Sequence, residues 1–256
     1  ATPAASPPRS RCVVVPRPRR TAAGLPPFAG RGCDNPPSNG ETVKRIVTKF
    51  ASLRDAALGQ WVADQVAFPG TMVDRIVPAT TDADRATVAG LIGSDDAWPI
   101  MTEPFTQWVI EDHFPQGRPP FEQVGAQMVK SVEPFELMKL RMLNGSHSTL
   151  AYLGYLAGYQ HVSEAMGDDN IVKLIHGLMT QEVIPTLDMP GTDLPAYRDE
   201  LLQRFRNPAL KHRTWQIAMD GSQKRPQRLL GTIRARLKAG ASFERLALGV
   251  AAWMRY

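Results

Sequence analysis

The hydrophobic pattern of the chain changes character near residue 128. Beyond it the strand signals stop, and apolar residues recur at helical spacing in consecutive segments separated by glycine and proline. The predicted helices are 134–159, 161–166, 170–183, 194–205, 211–219, 225–239 and 243–256. A chain with this pattern ends in an all-helical domain.

The residues before 128 mix helix and strand. Val43, Ile46, Val47 and Phe50 share one helix face, which predicts a helix with Asn39 as its N-cap. Further predicted elements are helices at 55–66 and 81–92 and a strand at 72–77. We therefore expect an irregular Pro/Arg-rich tail at 1–30, an α/β portion at 31–128 and the helical domain at 129–256.

The formal net charge of +5 belongs to the start of the chain. Six arginines and no acidic residue fall in the first 33 residues, and without them the net charge becomes −1. The arginines are Arg9, Arg11, Arg17, Arg19, Arg20 and Arg31. Because no aromatic side chain is interleaved with the arginines from Arg9 to Arg20, the sequence does not favour a nucleic-acid partner.

Cysteine count and hydropathy narrow the class of protein further. Cys12 and Cys33 are too few for a disulfide framework, and no nearby His or Cys supports a zinc site. No run of about 18 uncharged apolar residues occurs, so no membrane span is expected. These features predict a protein of the reducing cytoplasm with no bound metal.

The most informative segment is KLRMLNGSHSTLAYLGYLAG at 139–158, in which polar side chains interrupt an apolar helix. At about 100° per residue, Lys139, His147 and Asn144 project near 0°, 80° and 140°, less than half the circumference. They could share a cavity. Spacing alone favours a structural alternative, in which Lys139 pairs with a nearby glutamate and His147 is an ordinary buried histidine.

These residues fit the pattern K-x4-N-x2-H, and the chain resembles the long-chain mannitol dehydrogenase and fructuronate reductase family over roughly residues 19–256. Four further segments of the chain also resemble blocks of the family, and they occur in the family's order. They are GLPPF with CDNPPSNG at 33–40, FPGTMVDRIVPATT at 68–81, TEPFTQWVIEDHF at 102–114 and MDGSQKRPQR at 219–228.

The resemblance implies an NAD-dependent oxidoreductase whose site uses side chains alone. Lys139 would be the general base, although an ordinary lysine pKa of about 10.4 would have to be lowered. Asn35 and Asn144 would hold the developing oxyanion, and His147 would orient the reacting hydroxyl. Asn35 could instead be an ordinary turn residue before two prolines.

The resemblance also assigns Asp74 and Lys224 to the rest of the substrate, the lysine being the better candidate for a carboxylate. Each has a structural alternative: Asp74 could pair with Arg75, and Lys224 could begin a solvated helix. Gln216 stands where mannitol-type members tend to carry arginine, which favours the fructuronate and mannonate branch.

The chain departs from the family at the nucleotide-binding loop. Gly30-Arg31-Gly32 is not followed by a predicted helix, so the glycine-rich turn that approaches the pyrophosphate is absent and the cofactor-binding residues stay unknown. The family pattern also continues beyond Tyr256. We expect a chain that lacks most of the cofactor domain and the C-terminal end of the helical one.

The resulting expectation is the remnant of a Rossmann-like domain followed by an all-α substrate domain. Its function would be hydride transfer between NAD(H) and a secondary alcohol or ketone of a linear sugar acid. Mannitol 2-dehydrogenase activity and a catalytically inactive helical binding module are the alternatives. The expected partner is a small-molecule sugar acid or polyol.

Overall fold

The computed structural model describes residues 23–256 and divides into two compact units. The α/β unit takes in the chain up to Asp74 together with Thr106–Glu136, and the helical unit takes in Arg75–Phe105 together with Leu137–Tyr256. Most of the predicted tail, including Cys12, lies outside the described residues, and 23–30 contain no helix or strand. The domain limits 31–128 and 129–256 stay a prediction.

The α/β unit begins with two helices and contains a three-stranded sheet. The helices are Asn39–Arg54 and Ala56–Gln65, and the strands are β1 (Thr71–Asp74), β2 (Gln107–Glu111) and β3 (Gln127–Val129). The strand order is β1-β2-β3, with β1 and β2 antiparallel and β2 and β3 parallel. A 3-10 helix, Phe121–Val124, precedes β3.

Helices make up the rest of the chain, and three stretches are π-helical. The α-helices are Asp82–Ile92, Glu133–Met138, Ser146–Leu156, Val162–Ala165, Asp169–Gly177, Leu194–Arg206, Thr214–Ala218, Gly221–Arg225, Gly231–Lys238 and Glu244–Arg255. The π-helices are Lys139–Gly145, Leu178–Val183 and Pro226–Leu230, and short 3-10 helices are Ile184–Thr186 and Pro208–Leu210.

Each unit has its own apolar core. In the α/β unit, Val47 and Ala51 of the first helix pack with Val62 and Phe68, and Met72 of β1 packs with other buried side chains of the sheet. In the helical unit, buried side chains from three helices, Tyr152, Ala218 and Ala252, pack together. Burial of this apolar surface from water stabilises both units.

The predicted strand at 72–77 is correct at its start and wrong at its end. β1 stops at Asp74 because the next backbone groups bond to Glu103: the Ile76 N–H donates to its carboxylate, and the Ile76 carbonyl accepts from its N–H at 3.2 Å. Strands β2 and β3 were not predicted. They are short, and each has at most two fully buried residues.

Two helix starts were also predicted wrongly. Ser38, not Asn39, is the N-cap of the first helix, because the Asn39 side chain bonds to Thr71 instead of its own helix. The helix predicted at 211–219 is confined to Thr214–Ala218, since Lys211 has a left-handed φ of 44° and His212 forms a backbone bond with Val162.

A search of the helices within residues 23–256 finds none with the length and apolar character needed to cross a bilayer.

Candidate functional site

Lys139 and Asn144 lie in the π-helix Lys139–Gly145, so the prediction of one regular helix over 134–159 is wrong at this point. A π-helix bonds each residue to the fifth one along, whereas in an α-helix such residues project about 140° apart. Asn144 therefore stands about one turn from Lys139. The departure brings the amine and the amide toward one side of the helix, which continues into the α-helix that carries His147.

Gly145 allows a second π-helix to approach the first. A Cβ atom at this position would lie 2.7 Å from the carbonyl oxygen of Arg228, which belongs to the π-helix Pro226–Leu230. A real Cβ essentially never comes so close to backbone, so the contact requires glycine. Because π-helical turns are frequent at functional sites, their meeting between Asn144 and His147 marks this part of the helical unit.

His147 is buried and surrounded by rings and positive charge. Its imidazole is 6% exposed, stacks on Phe205 with centroids 5.0 Å apart, and meets the His212 ring edge-to-face at the same distance. Burial, then His212 and the cations Arg228, Arg204 and Lys224 in that order, hold the pKa of His147 well below its usual range. The ring is therefore neutral at neutral pH and offers one donor and one acceptor nitrogen.

His212 belongs to the same surroundings, although sequence reasoning did not single it out. Burial, followed by the charge of Lys224, lowers its pKa from 6.5 to about 4. Its Nδ1 atom is buried and has no hydrogen-bond partner within residues 23–256. A cavity of about 10 Å³ lies between it and His147, also bordered by Ser163 and Asn207. No periodicity or motif spacing marks this histidine.

Arg228 is a second residue that the spacing of the sequence did not reveal. Its Nη1 donates to the hydroxyl of Ser148 at 3.1 Å, and Ser148 itself is only 2% exposed. Desolvation lowers the pKa of the Arg228 guanidinium. Ser148 follows His147 directly in the chain, so the guanidinium is fixed beside the histidine.

Lys224 lies within the electrostatic range of both histidines, as its effect on their pKa values shows. Its ammonium donates to the Ile217 carbonyl at 3.5 Å and stands 4.0 Å from the Asp220 carboxylate. Burial lowers the pKa of Lys224, and Arg228 adds to the effect while Asp220 opposes it.

A buried ion pair supports the residues around His147. The Glu103 and Arg204 side chains are 2% and 6% exposed and are joined at 2.7 Å and 3.0 Å. Arg204 also lies over the Phe105 ring, 3.8 Å from its centroid. The pair compensates the charge of Arg204 inside the helical unit.

Asn35 lies in an exposed loop of the α/β unit that is tied down by Asn39. The buried Asn39 amide donates to the Asp34 carbonyl at 2.9 Å and to the Thr71 carbonyl at 2.8 Å, and its oxygen accepts from the Thr71 N–H at 2.9 Å. These bonds join the loop to β1. The position of Asn35 thus depends on its neighbour Asn39, which sequence reasoning took for an N-cap.

Asp74 is the last residue of β1 and is 1% exposed. It stands opposite Gln107 in the antiparallel pairing. The structure therefore places a buried carboxylate at the end of the strand, and its part in a site stays a prediction.

Two larger cavities lie within single units. One of about 560 Å³ in the helical unit is lined by Gln216 together with Trp215, Lys211 and Arg213. The other, of about 480 Å³ in the α/β unit, has an acidic lining: Glu41, Glu111, Glu133 and Glu136. Gln216, singled out from the sequence as a marker of substrate type, thus faces a space of ligand size.

Four of the six candidate residues belong to the helical unit. Lys139, Asn144 and His147 share one continuous helical segment, and Lys224 acts electrostatically on His147. Asn35 and Asp74 belong to the α/β unit, and their part in the site stays a prediction. Among residues 23–256, no group of three or more His, Cys, Asp or Glu side chains is arranged to hold a metal ion.

Two family models match the chain. The mannitol dehydrogenase Rossmann domain matches residues 12–123, and the mannitol dehydrogenase C-terminal domain matches residues 131–256.

Individual relatives agree with the family models. The uncharacterized oxidoreductase YdfI of Escherichia coli is 56% identical over 238 residues, 93% of this chain and 49% of the relative. The D-mannonate oxidoreductase of the same organism is 54% identical over the same shares. The chain therefore spans about half the length of these relatives.

A solved structure matches over nearly the whole chain. Mannitol 2-dehydrogenase of Pseudomonas fluorescens, in a ternary complex with NAD and D-mannitol, is similar with a TM-score of 0.84 and 42% identity. The match covers 96% of this chain and 50% of that one.

Proposed function

Because the chain belongs to the mannitol dehydrogenase family, we propose that it acts as an oxidoreductase on a linear sugar acid. The reaction exchanges a hydride between NAD(H) and a secondary alcohol or ketone, and the proposed pair is mannonate and fructuronate. NAD is named in the solved relative, and mannonate in a relative that is 54% identical.

Lys139 is the proposed general base. It would take the hydroxyl proton when the alcohol is oxidised and return it when the ketone is reduced. Asn144, one π-turn away, donates from its amide to the oxygen as negative charge develops there, and Asn35 is proposed as the second such donor. The spacing of amine and amide in the π-helix supports these paired roles.

His147 is proposed to orient the reacting hydroxyl. The low pKa of its buried ring keeps it neutral, so it can bond to the hydroxyl without competing with Lys139 for the proton. Asp74, Lys224 and Gln216 are proposed to hold the rest of the substrate. Within residues 23–256, no glycine-rich turn joins a strand to a helix, so no residue is assigned to the phosphates of the cofactor.

The observation that carries the choice of a sugar acid over a polyol is the excess of positive charge around His147. Arg228 and Lys224 both act on that ring, and only Arg204 among its neighbouring cations has a fully buried carboxylate partner. Such surroundings attract an anionic substrate more strongly than a neutral one. The identity of Gln216, where mannitol-type members tend to carry arginine, supports the same choice.

The test measures NADH consumption by the purified chain with fructuronate and with fructose in separate assays. We expect turnover with fructuronate, and a loss of about 100- to 10 000-fold in kcat for Lys139→Met because the base is removed. The exposed Lys173→Met serves as the matched control. A clear preference for fructose would indicate mannitol 2-dehydrogenase activity, and failure to bind NADH or turn over either ketone would favour the inactive binding module.

A further inference from the structure

We propose that Arg228 binds the carboxylate of the substrate. The assignment of the ligand as substrate rests on the proposed function. The site itself follows from the surroundings of the guanidinium.

Arg228 is a partly buried cation. Within residues 23–256 it has no carboxylate in ion-pair distance, and its side-chain bond is the one to the Ser148 hydroxyl at 3.1 Å. A guanidinium carries five N–H donors, so most of them are left for another group. Removing a cation from water is costly unless an anion compensates it, which points to an anionic ligand.

The other cations near His147 are already engaged. Arg204 is paired with buried Glu103, and Lys224 has Asp220 at 4.0 Å and the Ile217 carbonyl at 3.5 Å. Arg228 is therefore the better carboxylate ligand of this group, ahead of the Lys224 that the family resemblance indicates. Its planar fork also suits two parallel bonds to a carboxylate, which an ammonium cannot form.

The guanidinium is held in position from two sides. Ser148 fixes Nη1 from within the helix that carries His147, and the contact between Gly145 and the Arg228 carbonyl fixes the backbone. Because a linear sugar acid carries its carboxylate within a few bonds of the reacting carbon, an anion site beside His147 has the required reach. A rigid cation loses little entropy on binding, so the site is preorganised.

The experiment compares an acid with the matching polyol. Binding of D-mannonate and D-mannitol to the 256-residue chain is measured by calorimetry for the wild type, Arg228→Gln, Arg228→Lys and the exposed control Arg234→Gln. We expect Arg228→Gln to bind mannonate about 10- to 100-fold more weakly and mannitol unchanged, since a charge-assisted bidentate pair is lost. Arg228→Lys, which keeps the charge, should lose less, and Arg234→Gln nothing.

Equal weakening of both ligands by Arg228→Gln, or no weakening of either, would overturn the proposal. Arg228→Lys answers the same question if the glutamine variant does not fold. A second measurement does not depend on the sugar: titration with acetate should shift the Nε–Hε resonance of Arg228 and leave that of Arg234 in place. If the Arg228 resonance responds to acetate but the chain prefers mannitol, the proposed substrate is wrong and the anion site is supported. If the Arg228 resonance does not respond to acetate, the anion site is disproved.

Discussion

The two units hold their buried polar side chains in different ways. In the α/β unit the Asn39 amide is fixed by neutral hydrogen bonds to Asp34 and Thr71. In the helical unit the groups around His147 include the Glu103–Arg204 ion pair, Lys224, Arg228 and a second histidine. Neutral bonds are indifferent to pH, but charges in a low dielectric are not, so the bonds of Asn39 and the groups around His147 should respond differently to the same perturbation.

Loss of the buried ion pair should have the largest effect. Glu103→Gln removes the carboxylate charge that pairs with Arg204 at a site where both side chains are almost fully buried. We expect the free energy of unfolding to fall by about 3–5 kcal/mol, measured by urea denaturation. The exposed Glu200→Gln is the control. The double variant Glu103→Gln/Arg204→Met should recover most of the lost stability. A loss below about 1 kcal/mol in Glu103→Gln alone would mean that the ion pair is solvated.

The pH dependence of stability should follow the two buried histidines. The pKa of His212 is about 4, and that of His147 is also below 6.5, so below pH 6.5 the unfolded chain binds protons that the folded chain does not. Stability is then highest above pH 6.5 and falls as the pH decreases toward 4, by up to about 1.4 kcal/mol per pH unit for each histidine.

The slope between pH 6.5 and 5 isolates this effect from most carboxylate titration. His212→Asn should remove up to half of the part due to the two histidines, while exposed His176→Asn should leave the slope unchanged. An unchanged slope in both variants would show that His212 binds protons equally well in the folded and unfolded protein, and would weaken the contrast between Asn39 and the groups around His147.

The smallest expected effect is in the α/β unit. Asn39→Ala leaves the buried backbone groups of Thr71 and the part-buried Asp34 carbonyl without their partner, and should cost about 2 kcal/mol at any pH between 5 and 8. Asn170→Ala, at an exposed helix start, is the control. If the cost of Asn39→Ala changed steeply with pH, the distinction between the neutral bonds of Asn39 and the charged groups around His147 would not hold.

The fold class could be predicted from the sequence because helical periodicity persists over long segments. The family models and the solved relative confirm a Rossmann-type portion followed by a helical domain, and the helix predicted at 194–205 is observed as Leu194–Arg206. The π-helices were not predictable, since a search at 3.6 residues per turn assigns any apolar run to an α-helix. Lys211 shows the same limit, because a left-handed residue leaves no periodic signal.

The candidate site was predictable only where a motif carried it. Lys139, Asn144 and His147 fit a fixed spacing, whereas His212 and Arg228 come near His147 through packing between distant helices. The pKa values of His212 and Arg228 depend on desolvation and on which neighbouring side chains carry charge, and neither property can be predicted from the local sequence.

Gly145 has a consequence for how this enzyme family could be re-engineered. With no room for even a methyl group against the Arg228 carbonyl, the distance between the two backbones at this crossing is fixed. Libraries that randomise position 145 will lose folded members, whereas exchanging the side chain at 228 leaves this crossing of the two backbones unmoved. The length of that side chain, rather than the placement of its helix, is the adjustable variable.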